Sequence, residues 1–227
     1  MSSEIDPTPA KRPERIRLEG RYVTLVPIDP EKHGDPLWDQ VGGPENGHLW
    51  EYMFDGPFPD RASFDAYMRR RATADDPLTY AILDSESGTP AGHVALMRIE
   101  PNHRCVEVGG IMFTPGLQRT RGATESIYLL TRYIFDDLGY RRYEWKCHAL
   151  NEPSRKAASR FGFTFEGIFR QHMIMKGRNR DTVWFSMLDH EWPAKKLAFE
   201  RWLDPSNFDA AGRQKSPLSA GVREAQL

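Results

Sequence analysis

Hydrophobic and polar positions along the chain alternate between two periodicities. In the first half, four segments have the alternating or β-branched composition of strands: 22–28, 78–84, 91–99 and 105–113. Between the first two of these strands, Asp60 is placed to cap a helix that runs to Thr73. Residues 35–56 mix aromatic side chains with glycine and proline, which predicts short helical pieces joined by loops.

The clearest helix opens near Arg121 and stops at Gly139. Its apolar residues recur at steps of three and four, as one buried helical face requires: Ala123, Ile127, Leu130, Ile134 and Leu138. The remaining segments predict a strand at 143–147, a helix from Asn151 to Gly162, strands at 163–175 and 181–188, and an amphipathic helix at 192–203. Strands followed by strand–helix–strand–helix–strand–strand predict an α/β or α+β domain with a mixed sheet.

Charge and composition narrow the function classes. The chain has 227 residues and a formal net charge of −1, from 31 basic and 32 acidic side chains, which argues against generic nucleic-acid binding. It contains no apolar run of the ~18 residues that a membrane span needs, and its N-terminus lacks the apolar stretch of a secretory signal. Cys105 and Cys147 are too few for a disulfide framework and indicate free thiols in a reducing cytoplasm.

The junction between the strand at 105–113 and the following helix is a candidate ligand-binding segment. A helix that begins just after a strand directs its free backbone N–H groups, and the positive end of its dipole, at the crevice beside it. Residues 113–126 therefore predict a pyrophosphate site. The alternative for this segment alone is an ordinary polar loop.

Several short motifs occur in a fixed order. Gln118-Arg-Thr-Arg121-Gly-Ala123-Thr-Glu-Ser126 resembles the coenzyme-A loop of the GCN5-related N-acetyltransferases, with Arg121 where that family has its central glycine. A register shifted by one pairs Arg119 and Gly122 with the motif but loses the Thr-Glu match. Asn151-Glu-Pro-Ser154, Phe161-Gly162-Phe163 and Gly177-x-x-x-Asp181 resemble later motifs of the family, most closely of its branch that acetylates the N-termini of ribosomal proteins.

The resemblance implies a fold and a boundary. The fold is a mixed, mostly antiparallel sheet of about seven strands flanked by helices, with a splayed central strand pair. Residues 16–192 would form the acetyltransferase domain, and 193–203 a C-terminal helix packed on it. Residues 1–15, rich in proline, and 204–227, small and polar, are expected to form a disordered extension and a loose tail.

The resemblance also implies a co-substrate, acetyl-CoA, and direct transfer to an amine without a metal. Backbone N–H groups around Ile111 to Phe113 would stabilise the oxyanion. The residues expected to bind the coenzyme are Ile111, Met112, Phe113, Gln118, Arg119, Thr120, Arg121, Gly122, Ala123, Thr124, Asn151 and Ser154. The guanidinium groups of Arg119 and Arg121 suit phosphate, although solvated loop charges are the simpler alternative.

Three side chains are candidates for proton transfer. Ser154 is the candidate acid for the leaving thiolate, because the tyrosine that the wider family uses is replaced by Ala158. Glu107, on the strand before the loop, is the candidate base; Glu144 is its rival, and a water chain without a single base is also credible. A zinc set built from His103, Cys105, Cys147 and His148 is improbable, because neighbouring residues on a strand point to opposite faces.

No motif in the sequence identifies the amine acceptor. A protein N-terminus, an amino acid or polyamine, and an aminated drug-like molecule are all compatible with the sequence. The last hairpin is rich in basic residues, which form either a solvated face or a surface for an acidic acceptor: Arg170, His172, Lys176, Arg178 and Arg180. A homodimer is common in this branch. The rival function is a catalytically degenerate acyl-CoA-binding or sensory module, since Arg121 and Ala158 replace two customary residues.

Overall fold

The computed structural model describes residues 6–218 and 220, and its centre is one eight-stranded mixed sheet. The strand order is β1-β2-β3-β4-β5-β6-β8-β7. Neighbouring strands are antiparallel except β5 and β6, which are parallel. The strands are β1 Leu18–Glu19, β2 Val23–Pro27, β3 Leu78–Asp84, β4 Pro90–Glu100, β5 Cys105–Phe113, β6 Arg142–His148, β7 Thr164–Met175 and β8 Arg178–Leu188.

Five α-helices flank the sheet: α1 Pro30–Val41, α2 Arg61–Thr73, α3 Arg121–Arg132, α4 Glu152–Arg160 and α5 Trp192–Leu203. A π-helical turn, Tyr133–Asp137, extends α3. Across residues 6–218 and 220, none of the helices has both the length and the apolar composition to cross a bilayer. The predicted mixed α/β fold is therefore confirmed, with one more strand than the seven expected, the two-residue β1.

The two faces of the sheet bury separate hydrophobic clusters. On one face, α3 and α5 pack against the strands through side chains that include Ile127, Leu130 and Phe199. On the other face, α1 and α2 cover the β2–β5 half through Leu37 and Tyr67 among others. Both helices therefore lie over the β2–β5 half of this face, where α1 contacts β4 and α2 contacts β3.

The central strands β5 and β6 separate part-way along their length. Cys105–Val108 pairs with Arg142–Trp145, after which β5 continues beside β4 and β6 beside β8. The β4–β5 register shifts between His93 and Ala95, and Gly110 has φ +54°. An extra residue in one strand bends that strand locally, so β5 turns away from β6. The resemblance implies such a splayed pair, and the structure has it.

The start of α3 is tied to β2 by a buried carboxylate. Glu125 is 5% exposed, and its two oxygens accept the backbone N–H groups of Arg21 (2.9 Å), Tyr22 (2.6 Å) and Val23 (2.8 Å). Hydrogen bonds to a charged acceptor are stronger than neutral ones. Glu125 therefore sets the position of the helix whose N-terminus faces the β5–β6 gap.

Both terminal segments are more ordered than their composition indicates. Glu14 is held by Tyr133 and Tyr80, and Arg104 binds the backbone of Asp6 and Thr8. After α5, the Trp202 indole donates to the Gln214 side chain at 2.8 Å, and two later apolar residues, Leu218 and Ala220, are buried in the core. Residues of both segments, which were expected to form a disordered extension and a loose tail, thus make tertiary contacts in the structure. Residues 1–5, 219 and 221–227 lie outside the described residues.

Replacing Glu125 with alanine should destabilise the fold. The change leaves three N–H donors without their acceptor, of which that of Val23 is buried and those of Arg21 and Tyr22 are part-buried. An unsatisfied buried donor costs ~1–3 kcal/mol, so we expect the free energy of unfolding to fall by about 2 kcal/mol or more. Urea unfolding followed by circular dichroism measures this fall. Glu86→Ala, in the exposed β3–β4 turn, is the matched control; equal midpoints for the two variants would contradict the role of Glu125.

Candidate active site

The gap between β5 and β6 opens a large cleft. Its volume is about 1310 Å³, and its walls come from β5, β6, α4, β8, the loop before α3 and residues 48–55. Eleven of the thirteen sequence-predicted site residues line it: Glu107, Ile111, Met112, Phe113, Gln118, Arg119, Thr120, Ala123, Thr124, Asn151 and Ser154. Residues from three distant parts of the chain thus meet at one place.

The N-terminus of α3 forms one end of the cleft. Thr120 caps the helix, since its hydroxyl accepts the N–H of Ala123 at 3.2 Å. The first-turn N–H groups of Arg121 and Gly122 have no carbonyl within the helix to bond to. Arg119 has φ +62°, a left-handed conformation that is uncommon for a residue with a side chain. This end of the cleft therefore combines helix-terminal donors with a guanidinium, and it suits an anion.

Two predicted coenzyme residues, Arg121 and Gly122, do not line the cleft. The Arg121 guanidinium lies between two rings, 4.8 Å from the Tyr22 centroid and 4.9 Å from the Phe208 centroid. A Cβ on Gly122 would come within 2.8 Å of the Val23 side chain, so packing against β2 explains this glycine. In this structure Arg121 joins the C-terminal segment to β2, because a cation above an aromatic face is attracted to it.

A different arginine, Arg160, faces the cleft beside the α3 loop. It is the last residue of α4; its guanidinium donates to the Thr124 hydroxyl at 3.0 Å and lies 4.8 Å from the centre of the Trp202 ring. Burial lowers its pKa, and no carboxylate among the described residues pairs with it. None of the motifs identified in the sequence includes Arg160. The available signal was helical spacing, because Pro153, Ala157 and Arg160 recur at steps of four and three and line the same wall.

Ser154 occupies the middle of the cleft at the start of α4. Asn151 caps that helix by accepting the Ser154 N–H at 3.1 Å. The Ser154 hydroxyl oxygen accepts the Trp145 indole N–H at 3.0 Å, so its own proton is directed to another acceptor. Cys147 lies beside it; burial raises the pKa of this thiol, and the hydrogen bond with Ser154 opposes that rise only in part. The buried Cys147 is thus a neutral thiol rather than a nucleophilic thiolate.

Glu107 lies on the opposite wall in a chain of ion pairs. It is 3% exposed, and its Oε2 contacts Arg98 at 2.7 Å and Lys146 at 2.9 Å. Lys146 also contacts Glu144 at 2.6 Å, and Arg142 bridges Glu144 to Glu166. Glu107 lines the cleft, whereas Glu144 does not. Among the described residues, no group of three or more His, Cys, Asp or Glu is arranged to hold a metal ion.

A buried histidine supports the bent part of β5. His93 Nδ1 lies 2.9 Å from the Gly110 carbonyl oxygen, and the Tyr67 hydroxyl lies 3.0 Å from Nε2. Because a carbonyl only accepts, Nδ1 carries the proton and Nε2 accepts from Tyr67. Burial lowers the pKa of His93 to about 3, so the ring is neutral. This neutral bridge fixes the carbonyl of the residue at which β5 turns from β6.

A family model described as "Acetyltransferase (GNAT) domain" matches residues 23–164, more than half of the chain. The chain belongs to this family. The match begins at β2 and ends at the first residue of β7, and it includes the β5–β6 gap, the α3 loop and α4.

Individual relatives agree with the family. A GCN5-related N-acetyltransferase from Brucella melitensis is 51% identical; the alignment covers 93% of this chain and 96% of that one, with a TM-score of 0.91. A "probable acetyltransferase (GNAT family)" from Chromobacterium violaceum is 37% identical over 85% of this chain and 100% of that one, with a TM-score of 0.76. A Bacillus subtilis protein named "Putative ribosomal N-acetyltransferase YdaF" is 28% identical, and the match spans 48% of this chain and 59% of that protein.

The neutral state of His93 makes a pH-dependence prediction. The unfolded chain binds a proton at this ring below about pH 6.5, whereas the folded protein does not until about pH 3. Stability therefore decreases as the pH falls through this interval, and this residue alone should account for about 2–3 kcal/mol between pH 7 and pH 4.5. We expect His93→Gln to show a smaller loss over that range in urea titrations. His103→Gln, at an exposed position, should retain the wild-type loss; identical profiles for all three proteins would refute the assignment.

Proposed function

We propose that this protein is an acetyl-CoA-dependent N-acetyltransferase that transfers the acetyl group directly to a primary amine. One observation carries the proposal: the separation of β5 from β6 places the α3 N-terminus, Ser154 and Glu107 around one cleft. The two cysteines are free thiols, which supports a cytoplasmic location.

The described residues fit the coenzyme in charge and shape. Its pyrophosphate would lie at the α3 N-terminus, where the first-turn N–H groups, Arg119 and Arg160 supply positive charge. Its pantetheine arm would follow α4 past Asn151. The backbone of residues 109–113 on the side of β6 pairs with no described strand, so it retains donors for the thioester oxygen.

The reaction then proceeds by direct attack of the neutral amine on the thioester carbon. Glu107 takes the ammonium proton through Oε1, because its ion pairs with Arg98 and Lys146 are both made through Oε2. Donors at residues 111–113 stabilise the oxyanion as it forms. The C–S bond breaks as the oxyanion collapses, and Ser154 donates its hydroxyl proton to the departing thiolate. The neutral, buried thiol of Cys147 favours this direct route over an acetyl-cysteine intermediate.

The rival function, a coenzyme-binding module without turnover, was based on Arg121 and Ala158, and Arg121 does not support it. The Arg121 side chain lies between Tyr22 and Phe208, so it does not obstruct the cleft. Ala158, which replaces the customary tyrosine, is fully buried in the core. Ser154, one turn earlier on the same helix, faces the cleft in its place.

Turnover on a broad amine and peptide library tests the proposal, with coenzyme-A release as the measurement. We expect release with a subset of amines, and Ser154→Ala should lower kcat on the order of 10²-fold while coenzyme affinity stays within about twofold. Ser159→Ala, on the same helix but outside the cleft lining, is the control. An unchanged kcat would remove Ser154 as the acid. Coenzyme binding with no release from any amine would favour the rival function.

Coenzyme affinity distinguishes the three arginines. Arg119→Ala and Arg160→Ala should each raise the Kd of coenzyme A by about tenfold or more, since each removes a charged hydrogen-bond donor from the phosphates. The loss should shrink as salt is added. Arg121→Ala should leave the Kd unchanged and lower the melting temperature, because its contacts are with Tyr22 and Phe208. Calorimetric titration at two salt concentrations measures the Kd values. The reverse order of effects would return Arg121 to the coenzyme site.

A further inference from the structure

The wall of the cleft that β8 forms contains a buried cation that the proposed reaction does not use. Arg180, on β8, is 6% exposed and lines the cleft with its strand neighbours Thr182 and Trp184. No carboxylate among the described residues lies within ion-pair distance of its guanidinium. Its Nη1 points at the Met175 sulfur (3.8 Å), a weak acceptor, and its Nε has no partner within the described chain.

The ion pairs near Arg180 are balanced among themselves. They form a chain that joins three cations, Arg98, Lys146 and Arg142, to three carboxylates, Glu107, Glu144 and Glu166. That chain is neutral as a whole, so Arg180 adds one uncompensated positive charge to the wall.

A second buried guanidinium, that of Arg71, lines a neighbouring part of the cleft. Asp55 is shared between Arg70 (2.5 Å) and Arg71 (3.0 Å), and Arg71 is 8% exposed with an Nε that has no described partner. Asp55 and Arg71 line the cleft together with Phe54, whose ring lies 4.6 Å from the Arg180 guanidinium carbon. A ligand that enters beside Phe54 therefore meets guanidinium groups from two elements.

Burial makes an unpaired guanidinium costly. Removing a charge from water without a partner disfavours the charged form, and burial lowers the pKa of Arg180 in this way. The ring of Phe54 offsets part of that cost through a cation–π contact. A planar guanidinium with unused donors matches carboxylate and phosphate oxygens best.

From this arrangement we infer that Arg180 binds an oxyanion of the acceptor, so that the preferred substrate is an amine that also carries a carboxylate or a phosphate. The inference rests on the proposed function and specifies its acceptor class. Arg180 lines the same cleft as Glu107 and Cys147. The anion would therefore lie near the reacting amine, and Arg180 would act as a specificity-determining residue rather than as an acid or base.

Matched acceptor pairs test the inference. Each pair differs in the anion: β-alanine and β-alaninamide, 2-aminoethyl phosphate and ethanolamine, and a short peptide with glutamate or glutamine next to its amino terminus. Binding is measured by calorimetry with coenzyme A present, which needs no turnover, and kcat/KM is measured with acetyl-CoA. At least one anionic member should exceed its neutral partner by about tenfold or more in the wild-type protein. The pair with the largest ratio identifies the carboxylate, the phosphate or the peptide as the source of the anion.

Arg180→Gln should reduce that ratio to about one, whereas Arg178→Gln, at an exposed position on the same strand, should preserve it. Arg180→Lys keeps the charge and should retain part of the ratio, which covers the case in which the glutamine variant does not fold. Equal binding of both members of every pair by the wild type, or a ratio that survives Arg180→Gln, would overturn the inference. Failure of every amine to release coenzyme A would instead count against the proposed function, while the binding ratios would still decide the role of Arg180.

Discussion

The architecture depends on the short parallel pairing of β5 and β6. The strands share four residue pairs and then separate, and a bulge at Gly110 turns β5 aside. Unpaired backbone inside a sheet is unfavourable unless a ligand or water satisfies it, so the gap is both a structural cost and the origin of the cleft. The α3 N-terminus and α4 lie beside the gap because the β5–α3–β6 crossover and the α4 connection both start at its edge.

The two sides of this gap differ in their electrostatics. On the helical side, positive charge comes from the α3 N-terminus, Arg119 and Arg160. On the opposite side, carboxylates and cations alternate along β5, β6 and β7, so that Glu107 is held in place by its neighbours. The two sides of the cleft therefore present different electrostatic fields to whatever binds there.

Local patterns predicted most of the secondary structure and most of the site. Strands β3 and β5 and helix α5 have the expected bounds, because each combines a clear periodicity with a sharp turn signal. The region of helix α1 was predicted only as short helical pieces, because Gly34 and Pro36 interrupt the residue pattern that is typical of a helix. Arg121 matched a motif position, yet Tyr22 and Phe208, distant in sequence, determine where its side chain lies. Arg160 and Arg180 belong to no motif, and their importance comes from burial, which no sequence window contains.

The C-terminal segment extends the functional unit beyond the part of the chain that the family model recognises. That model ends at residue 164, but Trp202 and Gln214 help to line the cleft, and Phe208 packs on the arginine at the start of α3. A minimal domain cut at the family boundary would lose β8 and with it the pairing partner of β6. A truncated chain that keeps every described residue of the cleft lining therefore continues at least through Gln214.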